Sequence, residues 1–310
     1  MTATNHVQNR NLVGIASLVL GVLIFSLQDA ILKGMSGEHA VTLAIFIRSL
    51  VALPILLVMV HFECGLGRLA SKNYPLLVLR GLILLTAYTT YYMAFPALPL
   101  AEAIALFFIA PIIVTILAGA MLGERVSLKA WMAVIAGFMG VLIIVQPGSA
   151  LFEPAALLSL FSAASYALSM VLARKFGTAE PSTVMAFYVN GVYGVAAALI
   201  AAGFNLAGIA ALGHPSLDFL VRPWAMPNGQ DMLLMGLCGV IAAVAMSLLT
   251  HAYRMAKANL VTVFEYTGMI WGPLWGFLFF AEIPRLTTVI GTLIIIAAGI
   301  FAVRNAKTPD

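Results

Sequence analysis

Five ionisable residues stand inside stretches of the chain that are otherwise apolar: Asp29, Arg48, Arg80, Glu102 and Glu265. An ionisable side chain in hydrocarbon is expensive, so each is a candidate for function. Glu265 is the strongest. It shares a helical face with Gly268, Gly272 and Gly276, and small residues at that spacing let a second helix approach closely. The face therefore points into protein, where a carboxylate can take up a proton or hold a buried ion pair, with Arg80 the cation at similar depth. Asp29 and Arg48 are set to pair across the first helical hairpin, and Lys33, one turn after Asp29, competes as its partner. Arg48 lies between Ala44 and Ala52 on a small-residue face, which also points it inward. The face of Arg80 continues through Leu84 to Tyr88 and Tyr92. Glu102 and Glu124 read as acids near helix ends, where a carboxylate is ordinary.

Aromatic residues form the second group. Tyr88 and Tyr92 are one turn apart, Tyr166 lies in a stripe with Ser159, Ser162 and Ser169, and Tyr266, Trp271 and Trp275 follow Glu265. Such faces stack flat heterocycles, and few buried charges suit a ligand that is largely neutral. Aromatic residues also fill cores and mark membrane interfaces, so only some of these six are expected at a binding site.

Other chemistries lack their residues. Cys64 and Cys238 have no metal-ligand spacing, so no metal and no cofactor is expected. There is no phosphate loop to serve an ATP motor and no cluster of acids or histidines for a membrane-bound enzyme. The net charge of +4 is no nucleic-acid footprint, because the basic residues sit singly between apolar runs.

The elements that must position these residues are membrane helices. Hydrophobic residues make up 63% of the chain and charged ones 9%, and the mean hydropathy is +1.06, far outside the soluble range. About 20 apolar residues cross a bilayer. That ruler gives ten segments: 12–33, 40–60, 74–93, 99–121, 127–146, 154–174, 182–203, 231–253, 259–280 and 285–303. The first is too long for a signal-peptide core and stays as a membrane helix. One side of the membrane collects Arg10, Arg68, Lys72, Arg125, Lys129, Arg174, Lys175, Arg254, Lys257, Arg304 and Lys307; the other has Lys33, Arg222 and Arg285. This bias predicts both termini in the cytoplasm.

The chain also repeats itself. At an offset of 141 residues Phe25 falls on Tyr166, Lys33 on Arg174 and Thr42 on Thr183; at 158, Ala94 falls on Ala252 and Glu124 on Glu282. The halves are 12–146 and 154–303. Five helices in each make the second enter from the opposite side, so the repeats are inverted, as in secondary transporters.

The segments FIAPIIVTILAGAMLGERVS, from Phe108, and FEYTGMIWGPLWGFLFFAEIP, from Phe264, together with the five-plus-five plan, resemble the EamA family of the drug/metabolite transporter superfamily. The block from Pro111 to Gly123-Glu124-Arg125 is the most specific part; the second copy departs from it with Ala281-Glu282-Ile283. The resemblance implies an all-α, ten-helix bundle around a central cavity lined by the first, third, fourth, sixth, eighth and ninth segments. Members move amino acids, nucleosides, vitamins and other metabolites, and those with a Phe-Glu-Tyr-Thr segment include uptake systems for riboflavin and for S-adenosylmethionine. The expectation is a secondary transporter of a small organic molecule in the inner membrane, a monomer or homodimer, with a flavin-like substrate. The alternatives are S-adenosylmethionine uptake, export of amino acids or other metabolites, and, from other classes, a channel or a membrane enzyme. The residues assigned to substrate are Arg80, Tyr88, Tyr92, Tyr166, Tyr266 and Trp271. Those assigned to proton coupling or a buried pair are Glu265, Asp29 and Arg48.

Overall fold

A computed structural model describes residues 2–122, 128–147, 149, 152–176, 180–255 and 264–305. The Gly123-Glu124-Arg125 stop lies outside these residues. Among them there are helices and turns and no strand. The helices are α1 (Thr2–Met35), α2 (Val41–Glu63), α3 (Tyr74–Met93), α4 (Leu100–Phe107), α5 (Ala110–Leu122), α6 (Leu128–Val145), α7 (Ala156–Phe176), α8 (Ser182–Leu206), α9 (Pro215–Val221), α10 (Gly229–Met255), α11 (Gly268–Phe280) and α12 (Leu286–Asn305).

Five stretches are long and apolar enough to span a bilayer: Leu12–Met35, Val41–Glu63, Tyr74–Met93, Thr183–Leu206 and Gly229–Leu249. Five shorter apolar helices accompany them, among them Leu100–Val114 and Gly268–Phe280. The outer surface is apolar: Leu199, Ile135, Phe277 and Leu293 are each at least 60% exposed. A surface of that kind belongs in lipid, where helix association depends on close backbone approach rather than on the hydrophobic effect.

The glycines supply that approach. A Cβ on Gly81 (α3) would lie 2.9 Å from Val192 of α8, and one on Gly239 (α10) would lie 2.7 Å from Val51 of α2. The glycine face next to Glu265 packs on α4. Cβ atoms at Gly268 and Gly272 would come within 2.6 Å of Phe108 and 2.8 Å of Ile104, and one at Gly276 within 3.8 Å of Leu100. The small-residue spacing thus has its partner helix. The principal lengthwise pairings are α1 with α10, α2 with α8, α3 with α7 and α6 with α12.

Prolines divide what composition alone reads as a continuous segment. Helix α4 ends at Phe107 and α5 begins at Ala110. Pro111, in the first turn of α5, has no N–H to give the carbonyl four residues before it, which weakens the helix at this break. The long connection after α8 also has structure. Its α9 is capped by His214, and Trp224 tilts onto Phe46 at 5.1 Å and donates its indole N–H to Thr42 at 2.8 Å.

Candidate functional site

The helix break and the glycine face meet at a cavity of about 130 Å³. Helix α1 contributes Phe25, Ser26 and Asp29, and α3 contributes Tyr88 and Tyr91. Ile104, Phe107 and Phe108 line it from α4 and its end, Tyr166 from α7, Leu249 from α10, and Glu265 and Gly268 from the start of the ninth apolar segment. The lining comes from the six segments that the resemblance implied.

Aromatic rings form most of the wall. Phe107 lies 4.9 Å from Tyr91 and 5.3 Å from Tyr166, and Phe108 lies 6.0 Å from Tyr266, ring centre to ring centre. The acidic side chains in the lining are Asp29 and Glu265, and no Lys, Arg or His is among the described lining residues. Tyr91 donates its hydroxyl to Asp29 Oδ2 at 3.2 Å. Lys33 does not pair with Asp29. Its ammonium lies 2.8 Å from Glu282 Oε1 instead, because the α1 C-terminus ends beside the turns that follow α3 and α11.

Other residues singled out by sequence stand behind the wall. Arg48 is 2% exposed, with its guanidinium 5.9 Å from the Tyr88 ring and 5.7 Å from the Tyr193 ring. Its Nε and Nη1 have no hydrogen-bond partner among the described residues. Arg80 lies within electrostatic reach of Tyr88, Tyr166 and Tyr193, and Tyr88 and Tyr166 also feel Glu265. Neither arginine lines the cavity. Tyr92 is fully buried and its hydroxyl accepts from Gln28 Nε2 at 2.6 Å. Tyr266 is buried against Gly299, and Trp271 stacks on Trp275, which donates to Ser26 Oγ at 2.8 Å. The serine stripe beside Tyr166 packs rather than lines: Ser159, Ser162 and Ser169 are each fully buried, and Ser162 donates to the Ala87 carbonyl at 2.6 Å. Glu102, read from sequence as an ordinary helix-end acid, accepts from Arg285 at 2.7 Å.

Sequence reasoning missed Phe25, Tyr91, Phe107 and Phe108. Phe25 carried a signal, since it falls on Tyr166 at the first repeat offset, and both line the cavity. Phe107 and Phe108 sit at the helix break that Pro111 announces.

Comparison with known proteins gives this architecture a family. Residues 12–146 match the EamA-like transporter family. Over these 135 residues the chain is similar to that family. It is 27% identical to the pseudopaline exporter CntI of Pseudomonas aeruginosa, over 95% of this chain and 97% of the relative. It is 25% identical to an S-adenosylmethionine uptake transporter of Rickettsia felis, over 96% of this chain and 94% of the relative. A riboflavin transporter of Rhizobium johnstonii is 33% identical over 67% of this chain and 63% of its own length. One solved crystal structure shares the fold with a TM-score of 0.62 at 17% identity, covering 96% of this chain and 98% of its own. With these relatives and these apolar helices, the chain is a multi-pass membrane transporter of a small molecule, not an enzyme.

Proposed function

We propose that this chain is a secondary carrier of ten membrane helices in two inverted halves, 12–146 and 154–303, with both termini on the cytoplasmic side of an inner membrane. Contacts at the repeat offsets support the inversion. Gly81 against Val192 has its counterpart in Gly239 against Val51, since the partners lie 158 and 141 residues apart. The Ser162–Ala87 hydrogen bond has its counterpart where Gly21 meets the Ala245 carbonyl. Glu180, held by Asn73, has its counterpart in His39, held by Asp231. In an inverted repeat, exchanging the conformations of the halves moves a central site from one face of the membrane to the other.

The substrate is a flat nitrogen heteroaromatic taken up into the cell, with riboflavin the first candidate. The observation that carries this reading is a cavity walled by Phe25, Tyr88, Phe107 and Tyr166 around two carboxylates. Rings stack on the heterocycle, and carboxylates accept from its N–H and O–H groups. Glu265 is the proton acceptor if uptake is uphill. A second reading, an adenine-bearing sulfonium such as S-adenosylmethionine, is favoured by the sign of the lining charge, because both Asp29 and Glu265 are acids. The test is growth of a riboflavin auxotroph lacking its own importer on micromolar riboflavin. Rescue supports the flavin reading. No rescue, from protein present in the inner membrane, ends it and leaves the sulfonium to be tested by labelled uptake in the same cells.

A further inference from the structure

The face of the bundle at which α1 ends is closed by four charged side chains that the transport reading does not use. The Lys33 ammonium donates to the Phe95 carbonyl at 3.1 Å and the Leu98 carbonyl at 2.6 Å, and lies 2.8 Å from Glu282 Oε1. An ammonium has three donors, and these three acceptors account for them. The other oxygen of Glu282 accepts from the Leu100 N–H at 2.9 Å, at the α4 N-terminus, where negative charge is favoured. Beside this group Arg285 donates to Glu102 Oε2 at 2.7 Å. The ends of α1, α4, α11 and α12 are thereby tied by charged side chains, at the place where Gly276 seats α11 on Leu100 of α4. Ala281, just before Glu282, holds a left-handed backbone with φ of 52°, which is strained for a residue with a Cβ. That conformation turns Glu282 back toward α4.

From this geometry we infer that Lys33, Glu282, Glu102 and Arg285 form a releasable clamp that shuts the cavity from the α1 C-terminal face and opens in the transport cycle. Three observations separate it from a static brace. First, α11 packs on α4 through Gly268, Gly272 and Gly276, so the contact beside these charges is the one that has to part for the face to open. Second, Lys33 and Glu282 stand at the repeat positions of Arg174 and Glu124, so this pair of charges, unlike Glu102 and Arg285, recurs in the other half of the sequence. Third, the pairs Glu180–Asn73 and His39–Asp231 are both made, each bridging the two halves at corresponding repeat positions, which is how a brace common to every state behaves. The clamp rests on the alternating carrier reading, but its test needs no substrate.

The reporter is Phe25→Cys, a cavity position, in a Cys64→Ser, Cys238→Ala background, labelled by a membrane-impermeant maleimide in intact cells and in inside-out vesicles. Labelling is expressed per amount of inserted protein. From the α1 C-terminal face, Glu282→Gln and Lys33→Gln are expected to raise the labelling rate about five-fold or more, a population shift that breaking one ion pair can produce. Lys33→Arg keeps the cation and is expected to leave the rate unchanged. So is Asp231→Asn, which cuts the neighbouring His39 contact on the same face. Should Glu282→Gln fail to insert, Glu102→Gln reads the same clamp through its second arm. An unchanged rate in the neutralised variants, or an equal rise in Asp231→Asn, overturns the proposal. A rise seen only in inside-out vesicles keeps the clamp and overturns the assigned orientation.

Discussion

Tyr91 and Asp29 meet across the cavity wall, the hydroxyl of one donating to the carboxylate of the other at 3.2 Å. The contact ties α3 to α1 where a ligand would sit and leaves Asp29 with acceptor capacity for a second donor. Asp29→Asn removes the charge and keeps the shape. A hydrogen bond to a charged group contributes roughly 1.5–3 kcal/mol, so affinity for a cationic substrate should fall at least about tenfold. Affinity for an uncharged flavin should fall by less. Measuring KM for both substrates in the one variant separates the two readings.

Tyr88 and Tyr92 are neighbours with different expected roles. Tyr92→Phe leaves the Gln28 amide donor unpaired in the core, which should lower stability by about 1–3 kcal/mol. Its KM should stay close to that of the unaltered protein. Tyr88→Ala removes a lining ring and should raise KM. Thermal unfolding in detergent, paired with uptake kinetics, checks both; a large KM change in Tyr92→Phe would move Tyr92 into the binding site.

Glu265 lies where the glycine face of α11 gives way to the cavity. Glu265→Gln should abolish the response of uptake to an imposed pH gradient while exchange of substrate for substrate persists. The check is uptake with and without the gradient in the same vesicles. A gradient response that survives the substitution removes Glu265 from coupling, and loss of inserted protein assigns it a structural role.

Two glycines of similar sequence context should respond in opposite ways. A Cβ at Gly239 would lie 2.5 Å from the Arg48 backbone carbonyl, whereas one at Gly191 would meet nothing within 4 Å. Gly239→Ala should therefore destabilise the α10–α2 contact by about 1–3 kcal/mol. Gly191→Ala should be neutral or stabilising by up to about 1 kcal/mol. Unfolding temperatures of the two variants decide it.

Much of this was legible in the chain because lipid imposes simple rules. Apolar length and small-residue spacing need no tertiary knowledge to read, and the spacing of Gly268, Gly272 and Gly276 marks the face that packs on α4. Glu265, Asp29, Tyr88 and Tyr166 were all singled out from sequence, and the structure brings them together around one cavity.

What sequence could not decide was which of two near-equal faces each helix turns inward. Tyr92 and Tyr91 are adjacent, and a rotation of one residue exchanges burial behind the wall for exposure to the cavity. Nor could it distribute partners among charges. Lys33 is one turn from Asp29, yet it reaches Glu282, far along the chain, because two turns from different halves converge on the end of α1. Such long-range pairs leave no local periodicity to detect.

The central claim, a carrier whose aromatic-walled cavity binds flat heteroaromatics, is tested most directly by counterflow with purified protein in vesicles. Vesicles are loaded with unlabelled riboflavin or S-adenosylmethionine and diluted into a trace of the labelled compound. The account predicts transient accumulation of label above equilibrium for at least one of the two, lost in the Tyr88→Ala, Asp29→Asn double variant. Label that only equilibrates, for both compounds and with folded protein in the vesicles, would contradict it.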